Sequence, residues 1–229
     1  MPWGRLIAAP FLIAVLCCHA RGDTYVKVAQ TAGKNGSGTG CSSATLIGWT
    51  VDCSEGIFIS CAHGYDRDRP VEIQIDEQLA VPGHILAIAP ELELSLLAAP
   101  VSRSTEMLRL SESSLRDCDR VRLIGFPERQ LTRMETCITG RFWSRDACTP
   151  SWKLYEAEPW CRRPQEYQEL AVTGAASAPG LSGGAVVKNR KLAGVVVGRI
   201  TNAGNVGLVV PAETVRLFVR RNIGLFYCR

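Results

Sequence analysis

Two short segments of the chain contain residues that could perform nucleophilic catalysis. Ser182 lies in SAPGLSGGA (177–185), where glycines on both sides allow a sharp turn. His63 lies in FISCAHGY (58–65), after an apolar run typical of a β-strand and before a glycine turn. A serine hydroxyl is a poor nucleophile until a neighbouring base, such as histidine, removes its proton. Each segment alone would indicate only a turn, but together they predict a nucleophile and its base.

The sequence offers few other candidates for the base. After the N-terminal segment, the one histidine besides His63 is His84, in VPGHI (81–85). Nothing around His84 resembles a site, so a surface or structural role is the better interpretation of this residue.

Short apolar runs separated by glycine, proline and polar turns follow one another from residue 25 onward. This spacing, with no helix of useful length between the runs, predicts an all-β sandwich or barrel. A polar stretch, 103–120, is interpreted as a linker between two halves. Examples of these runs are 44–49, 56–60, 71–75, 85–89, 94–98, 121–125, 184–187, 192–197 and 206–210.

The last part of the sequence has helical spacing instead. PAETVRLFVR (211–220) places Val215, Phe218 and Val219 on one face and arginines on the other. Pro211 and Glu213 suit the first turn of a helix. We therefore expect a C-terminal helix that packs its apolar face onto the barrel.

The N-terminus has the pattern of a secretory signal peptide (1–20). Arg5 precedes an apolar run, and the small residue Ala20 marks the expected cleavage position. The run is too short to span a bilayer. We therefore expect an exported protein, secreted or periplasmic, without membrane contact after cleavage. A lipoprotein signal at Cys17 or Cys18 is a weaker alternative, because neither cysteine follows a small residue.

The cysteines that remain after the signal peptide favour disulfide bonds, because their number is even and the chain is expected to be exported. No two of them lie within four residues of each other, so the close spacing of zinc ligands is missing. We expect no metal and no organic cofactor, and the sequence does not indicate which cysteines pair. The eight are Cys41, Cys53, Cys61, Cys118, Cys137, Cys148, Cys161 and Cys228.

Length and charge limit the possible partners. Of the 229 residues, 209 remain after removal of the expected signal peptide 1–20 (229 − 20), and this length suits one domain built from two similar halves. The formal net charge is only +4 and the basic residues form no blocks, so nucleic-acid binding has no support. The oligomeric state is not indicated.

In chain order, several motifs resemble those of chymotrypsin-like serine proteases, and the later ones resemble the HtrA/Deg-type bacterial branch. In that family the catalytic histidine ends a motif of the form TAAH, and the nucleophile lies in a loop of the form PGNSGGP. The matching motifs here are GSG (36–38), LIG (46–48), FISCAH (58–63), GFP (125–127), PGLSGGA (179–185) and GLVVPAETVRLF (207–218). They extend over nearly the whole chain after the signal peptide.

The resemblance implies an all-β fold of two six-stranded antiparallel barrels with a C-terminal helix. It implies a protease domain at 21–229, with barrels at about 24–105 and about 116–229. No appended PDZ domain is expected, because the sequence ends at Arg229.

The resemblance also implies a role for each site residue. Ser182 would attack the scissile carbonyl, and His63 would accept its proton and return it to the leaving amine. The backbone N–H groups of Gly180 and Ser182 would form the oxyanion hole. We expect a protein or peptide substrate with a small or medium apolar P1 residue, since the implied substrate-binding wall holds no carboxylate. That wall comprises Ala175, Ala176, Ser177, Val196, Val197 and Gly198.

The acidic member of the triad departs from the family pattern. The family has an aspartate at the head of a strand of the form DLALL, and this chain has ELSLL at 93–97. In an extended strand Glu91 would share the face of Glu93 but lie about 7 Å further back, so Glu93 is the better candidate. Glutamate supplies the same charge with one more torsion to fix, so activity is expected but could be feeble. The alternative is that both glutamates are solvated strand residues.

Three functions are consistent with these residues. The first is a secreted serine endopeptidase that uses a Ser–His–Glu triad and an acyl-enzyme. The second is a catalytically weak or inactive protease-like fold that acts as a protein-binding module, because a fold does not guarantee activity. The third, a non-protease hydrolase, is disfavoured because the resemblance is to peptidases. Since His63, Gly180 and Ser182 are all intact, the first is preferred.

Overall fold

Strands dominate the structure, a computed structural model that describes residues 24–30, 40–75, 79–144, 168–176, 178–200, 206–222 and 224. These residues form twelve β-strands and one α-helix. The strands of the first half are β1 (Tyr25–Gln30), β2 (Gly40–Trp49), β3 (Gly56–Cys61), β4 (Val71–Gln74), β5 (Ala80–Ala89) and β6 (Leu94–Ala99). Those of the second half are β7 (Arg120–Gly125), β8 (Thr132–Ser144), β9 (Gln168–Ala176), β10 (Ala185–Lys188), β11 (Lys191–Ile200) and β12 (Val206–Pro211), and the helix α1 is Ala212–Arg221. The predicted signal peptide, 1–20, and the first of the matching motifs, GSG (36–38), lie outside the described residues.

The strands close into two antiparallel barrels of six strands each. The strand order is β1-β2-β3-β6-β5-β4 in the first barrel and β10-β11-β12-β9-β8-β7 in the second. The predicted fold class, two six-stranded antiparallel barrels followed by a helix, is confirmed. Each predicted apolar run overlaps a strand, whereas β1, β8 and β9 were not predicted. In β1 and β8, apolar and polar residues mix along the strand, so neither strand contains a continuous apolar run.

Each barrel has its own core, and a third core lies between the barrels. The first barrel encloses Val26, Leu46, Phe58, Ile73 and Leu97, and the second encloses Leu123, Ile138, Val186, Val196 and Val209. The core between them joins Ile57, Ile59, Leu94 and Leu96 of the first barrel to Ile124, Val195 and Leu208 of the second. Because β3 and β6 contribute to both kinds of core, every residue in these two strands is buried. This explains why both strands read as continuous apolar runs.

The C-terminal helix follows β12 directly. α1 buries Ala212, Val215 and Phe218, in agreement with the predicted apolar face, and Val219 packs at its edge. Arg216 on the same helix donates a hydrogen bond to the carbonyl oxygen of Ser111 in the segment that connects the barrels. In the described part of the chain, no helix is long and apolar enough to cross a membrane.

The cysteines are only partly described. Cys53 is disulfide-bonded, and free thiols are found at Cys41, Cys61, Cys118 and Cys137. Cys148, Cys161 and Cys228 lie outside the described residues, so the expectation of disulfide bonds among the eight cysteines stays a prediction. Over the described residues, no group of three or more His, Cys, Asp or Glu side chains could hold a metal ion.

Candidate active site

The pairing of β3 with β6 brings His63 and Glu93 together across thirty residues of sequence. Cys61, the last residue of β3, lies opposite Leu94, the first residue of β6. The N–H of Ala62 then donates to the carbonyl oxygen of Glu93 at 3.1 Å. His63 follows one strand and Glu93 precedes the other, so both side chains lie at the same end of the pair.

The imidazole and the carboxylate form a short hydrogen bond. His63 Nδ1 lies 2.9 Å from Glu93 Oε2, and Glu93 is 1% exposed. An ionised carboxylate only accepts hydrogen bonds, so the proton of the neutral imidazole lies on Nδ1. The other ring nitrogen, Nε2, is then free of a proton and able to act as a base.

Glu93 has an uncommon backbone conformation. Residues Pro90–Leu92 form a 3₁₀ turn, and Glu93 ends it in the left-handed region with φ 58° and ψ 30°. The extended strand that we expected through Glu91 is therefore absent, because Pro90 favours the first position of a helical turn. Within this turn Glu91 is exposed while Glu93 is buried.

Burial and neighbouring groups act against each other on the His63 pKa. Desolvation lowers the pKa of the imidazole, but the adjacent Cys61 side chain and the Glu93 carboxylate both raise it, and the net pKa lies well above 6.5. For Glu93, burial raises the pKa, and the hydrogen bond from His63 opposes that rise. The imidazolium form of His63 is therefore stabilised, first by the Cys61 side chain and then by the Glu93 carboxylate.

Two consecutive tight turns shape the Ser182 loop, and Ser182 is the second residue of the second turn. The N–H of Leu181 donates to Ala178 O at 3.1 Å, and the N–H of Gly184 donates to Leu181 O at 2.8 Å. Gly180 and Gly183 occupy the third positions of these turns, with φ of 93° and 82°. A type II turn requires positive φ at this position, which glycine adopts without steric cost. The glycines on either side of Ser182 are therefore explained by backbone geometry.

Some backbone amides of the Ser182 loop donate hydrogen bonds to other described residues, and others donate none. Leu181 and Gly184 donate within the loop, and Gly183 donates to Val196 O at 2.6 Å. Among hydrogen bonds between described residues, the amides of Gly180 and Ser182 donate none. These two N–H groups are the ones that the resemblance assigns to an oxyanion hole.

The predicted substrate-binding wall is only partly described. Val196 and Val197 are fully buried, Val196 in the core of the second barrel and Val197 in the core between the barrels, and Gly198 is half-buried. Ala175 and Ala176 end β9, which pairs with β12 next to β11. Their side chains, and the whole of Ser177, lie outside the description.

Several residues near the site were missed from the sequence. Ser43, Ser60 and Ser95 carry buried hydroxyls on apolar strands, and Tyr65 donates or accepts hydrogen bonds with Ser42 and Ser60. Ser95 Oγ donates to Cys61 O at 2.7 Å and so supports the strand end before His63. A hydroxyl inside an otherwise apolar strand was the available signal, since such a group needs a partner when buried.

His84 is not part of this group. It is half-exposed, and its Nδ1 lies 3.7 Å from Glu55 Oε1. This agrees with the surface role expected for His84.

Comparison with known proteins identifies the architecture. No family model matches the chain, and no curated protein matches it either. The Rv3671c protease from M. tuberculosis in its active form is 17% identical with a TM-score of 0.71, over 100% of this chain and 95% of that chain. Its inactive form is 16% identical with a TM-score of 0.67, over 88% of this chain and 90% of that chain.

These matches define the class of fold. The chain has the chymotrypsin-like serine protease fold, and the Rv3671c protease is a structural neighbour of it over nearly the full length of both chains. At this level of identity the likeness establishes the fold alone.

Proposed function

We propose that this protein is a serine endopeptidase with Ser182 as nucleophile, His63 as general base and Glu93 as the acidic member of the triad. The observation that carries the proposal is the buried hydrogen bond of 2.9 Å between His63 Nδ1 and Glu93 Oε2. Further support comes from the two glycine turns around Ser182, and from a fold that structural neighbours use as proteases.

The proposed reaction begins with attack by Ser182 Oγ on the carbonyl carbon of the scissile peptide bond. His63 Nε2 takes the hydroxyl proton as the bond forms, and Glu93 stabilises the resulting imidazolium. The amides of Gly180 and Ser182 donate to the oxyanion of the tetrahedral intermediate. The C–N bond then breaks, and His63 gives its proton to the amine that leaves. Water, activated by the same imidazole, hydrolyses the acyl-enzyme.

The backbone at Glu93 supports the proposal that glutamate serves here where chymotrypsin-like proteases have aspartate. A glutamate side chain is one methylene longer, so its carboxylate would overshoot from an ordinary strand position. Here the residue sits in the left-handed region after a turn, and the carboxylate still meets Nδ1 at 2.9 Å. Its second oxygen, Oε1, is buried without a hydrogen-bond partner, and leaving it unpaired costs free energy. The carboxylate is therefore held less firmly than one whose two oxygens both accept hydrogen bonds.

Substrate choice and location belong to the same proposal. We propose a preference for small or medium apolar P1 residues, since the wall implied by the resemblance lacks a carboxylate. We also propose export through the N-terminal segment 1–20, to the periplasm or beyond the cell. A peptide-library profile with arginine, lysine or glutamate at P1 would contradict the first of these, and retention of 1–20 in the protein from cells would contradict the second.

The test is covalent labelling with a fluorophosphonate probe, mapped by mass spectrometry on the folded protein. We expect labelling at Ser182 in the wild type and in His84→Ala, and none in Ser182→Ala or His63→Ala. His84→Ala is the matched control because it removes an imidazole away from the site. A folded wild type that stays unlabelled, and that cleaves no peptide, would instead favour the protein-binding module.

A further inference from the structure

We infer that Ser43 is a positioning residue that holds the Ser182 loop in its reactive shape, an inference that rests on the proposed function. Ser43 belongs to β2 of the first barrel, whereas the loop belongs to the second. Its side chain is 1% exposed, and its neighbours two and three residues on, Thr45 and Leu46, are equally buried. A hydroxyl in such surroundings is costly unless hydrogen bonds satisfy it.

Ser43 engages every hydrogen-bonding group it has. Its N–H donates to Ser182 O at 2.7 Å, and its hydroxyl donates to Gly180 O at 2.7 Å. The hydroxyl oxygen accepts from the N–H of Phe126 at 2.8 Å, and the carbonyl oxygen accepts from Ser60 Oγ at 2.6 Å. Since a serine hydroxyl has a single proton, the bond from Phe126 makes Gly180 O its acceptor.

The two bonds to the loop bracket the nucleophile. The carbonyl of Gly180 precedes Ser182 by two residues, and the carbonyl of Ser182 follows its own Cα. One residue of the first barrel thus holds the Gly180–Leu181 and Ser182–Gly183 peptide planes. The amides of Gly180 and Ser182, which the resemblance assigns to the oxyanion hole, lie in the peptide planes next to these two, so their direction depends on the held planes through one backbone residue each.

The same residue connects the loop to the turn that carries His63. Ser60 gives its single hydroxyl proton to Ser43 O, so Tyr65 must donate to Ser60 Oγ at 3.0 Å and accept from Ser42. Tyr65 follows His63 by two residues. A hydrogen-bond chain therefore runs from the histidine turn through Ser60 and Ser43 to the nucleophile loop.

Close packing leaves the loop little freedom to re-form without Ser43. A Cβ at Gly183 would overlap the carbonyl oxygen of Ser43 and Ser60 Oγ. On the other side, a Cβ at Gly125 would lie 2.7 Å from Ser43 Oγ and 2.8 Å from Leu181 Cδ1. The hydroxyl is thus held between β7 and the loop, and its removal leaves Phe126 N–H and Gly180 O without partners.

The test compares Ser43→Ala with Ser111→Ala. The first variant keeps the backbone bond to Ser182 O but loses both hydroxyl bonds. The control also removes a buried hydroxyl, which bonds only to the backbone of Ser113, in the segment between the barrels. Two measurements are made on each folded protein: amide hydrogen exchange of peptides covering 180–184, and kcat and KM on a cleaved peptide.

We expect amides of 180–184 to exchange about tenfold faster in Ser43→Ala, the factor for loss of about 1.4 kcal/mol of local stability. We expect kcat to fall about 10- to 100-fold while KM changes less than about threefold, because a displaced Ser182 loop weakens stabilisation of the transition state more than it weakens substrate binding. Ser111→Ala should leave both measurements close to wild type.

Unchanged exchange in Ser43→Ala, or an equal effect in Ser111→Ala, overturns the inference whether or not the protein is an enzyme. If the wild type is inactive but the loop amides of Ser43→Ala still exchange faster than those of the wild type, the positioning role is supported and the proposed function is refuted. If Ser43→Ala does not fold, Gly125→Ala disturbs the same contact from the second barrel while leaving the hydroxyl in place. Unchanged loop exchange in that variant would equally overturn the inference.

Discussion

At the scale of single residues, the charge balance around His63 has a consequence for pH dependence. Desolvation lowers the pKa of the imidazole, but Cys61 and Glu93 raise it to well above 6.5. The base form is needed for attack, and protonated His63 prevails below its pKa. The proposed mechanism therefore predicts a rate that rises with pH through a value above 6.5.

We predict an acid limb in the pH profile of kcat/KM with a midpoint above about 6.5, measured between about pH 5 and pH 9. In Glu93→Gln the negative charge is gone, so the pKa of His63 falls and the limb moves to lower pH. A limb that stays at the wild-type position in Glu93→Gln would show that Glu93 does not act on His63.

The same substitution tests the size of the contribution from the carboxylate. We predict that Glu93→Gln lowers kcat about 10³- to 10⁴-fold, because an amide neither stabilises imidazolium nor secures the correct tautomer. Glu91→Gln is the matched control, since Glu91 is exposed two residues earlier. The measurement is kcat from steady-state kinetics of both variants on the same peptide. Equal losses of kcat in Glu93→Gln and Glu91→Gln would contradict a triad role for Glu93.

Shortening the side chain gives a finer test. In Glu93→Asp the carboxylate withdraws by about 1.5 Å, so the bond of 2.9 Å to His63 Nδ1 is broken unless the turn shifts. We predict activity below wild type by about 10- to 100-fold but above that of Glu93→Gln. Wild-type activity in Glu93→Asp would mean that the left-handed backbone at Glu93 is not what accommodates glutamate.

At the scale of elements, strand ends and turns determine where the reactive side chains lie. The β3–β6 pair aligns His63 with Glu93, and two turns hold Ser182 against β2. The bond between His63 and Glu93 would break if the ends of β3 and β6 moved apart by a few ångströms. The glycine in the second turn is the most constrained of these positions, since it has positive φ and touches the first barrel.

We predict that Gly183→Ala destabilises the protein by about 2–4 kcal/mol, because a Cβ both strains φ and overlaps backbone atoms. Gly140→Ala is the control, because nothing lies within 4 Å of its Cβ position. Its stability should stay within about 1 kcal/mol of wild type. Denaturant unfolding measures both, and equal stability of the two variants would contradict the packing at Gly183.

At the scale of the whole molecule, the core between the barrels couples two otherwise similar units. Leu94 and Leu96 of the first barrel pack in the same cluster as Val195 and Leu208 of the second. Neither barrel can expose this surface without losing a large buried apolar area. The site lies along this junction, so its geometry depends on the two barrels staying together.

We predict a single cooperative unfolding transition by calorimetry, with Leu96→Ala destabilising the whole protein by about 2–5 kcal/mol. Leu217→Ala, at a position 53% exposed on α1, should cost far less. Two separate transitions, or a Leu96→Ala effect confined to one barrel in hydrogen exchange, would show that the barrels fold independently.

Much of this architecture could be predicted from local sequence. Continuous apolar runs predicted β3 and β6 because both faces of each strand are buried, and the spacing of Val215 and Phe218 predicted the face of α1. The strands β1 and β8 mix polar and apolar residues, and short apolar runs do not detect such a pattern. The turn at Pro90–Leu92 was missed for another reason. Glu91 and Glu93 both fit a strand pattern, and only Pro90, which favours the start of a helical turn, argues against it.

The set of candidate reactive residue types, their order along the chain, and the alternation that builds strands can all be taken from the sequence. These follow from local chemistry: a serine between glycines, a histidine after an apolar strand, and a glutamate before another. Other features are visible only in the folded protein: the left-handed backbone that brings Glu93 to His63, and the contact of Ser43 with the Ser182 loop across 139 residues. Such contacts depend on barrel closure and on the packing of one barrel against the other, and short sequence patterns predict neither of these.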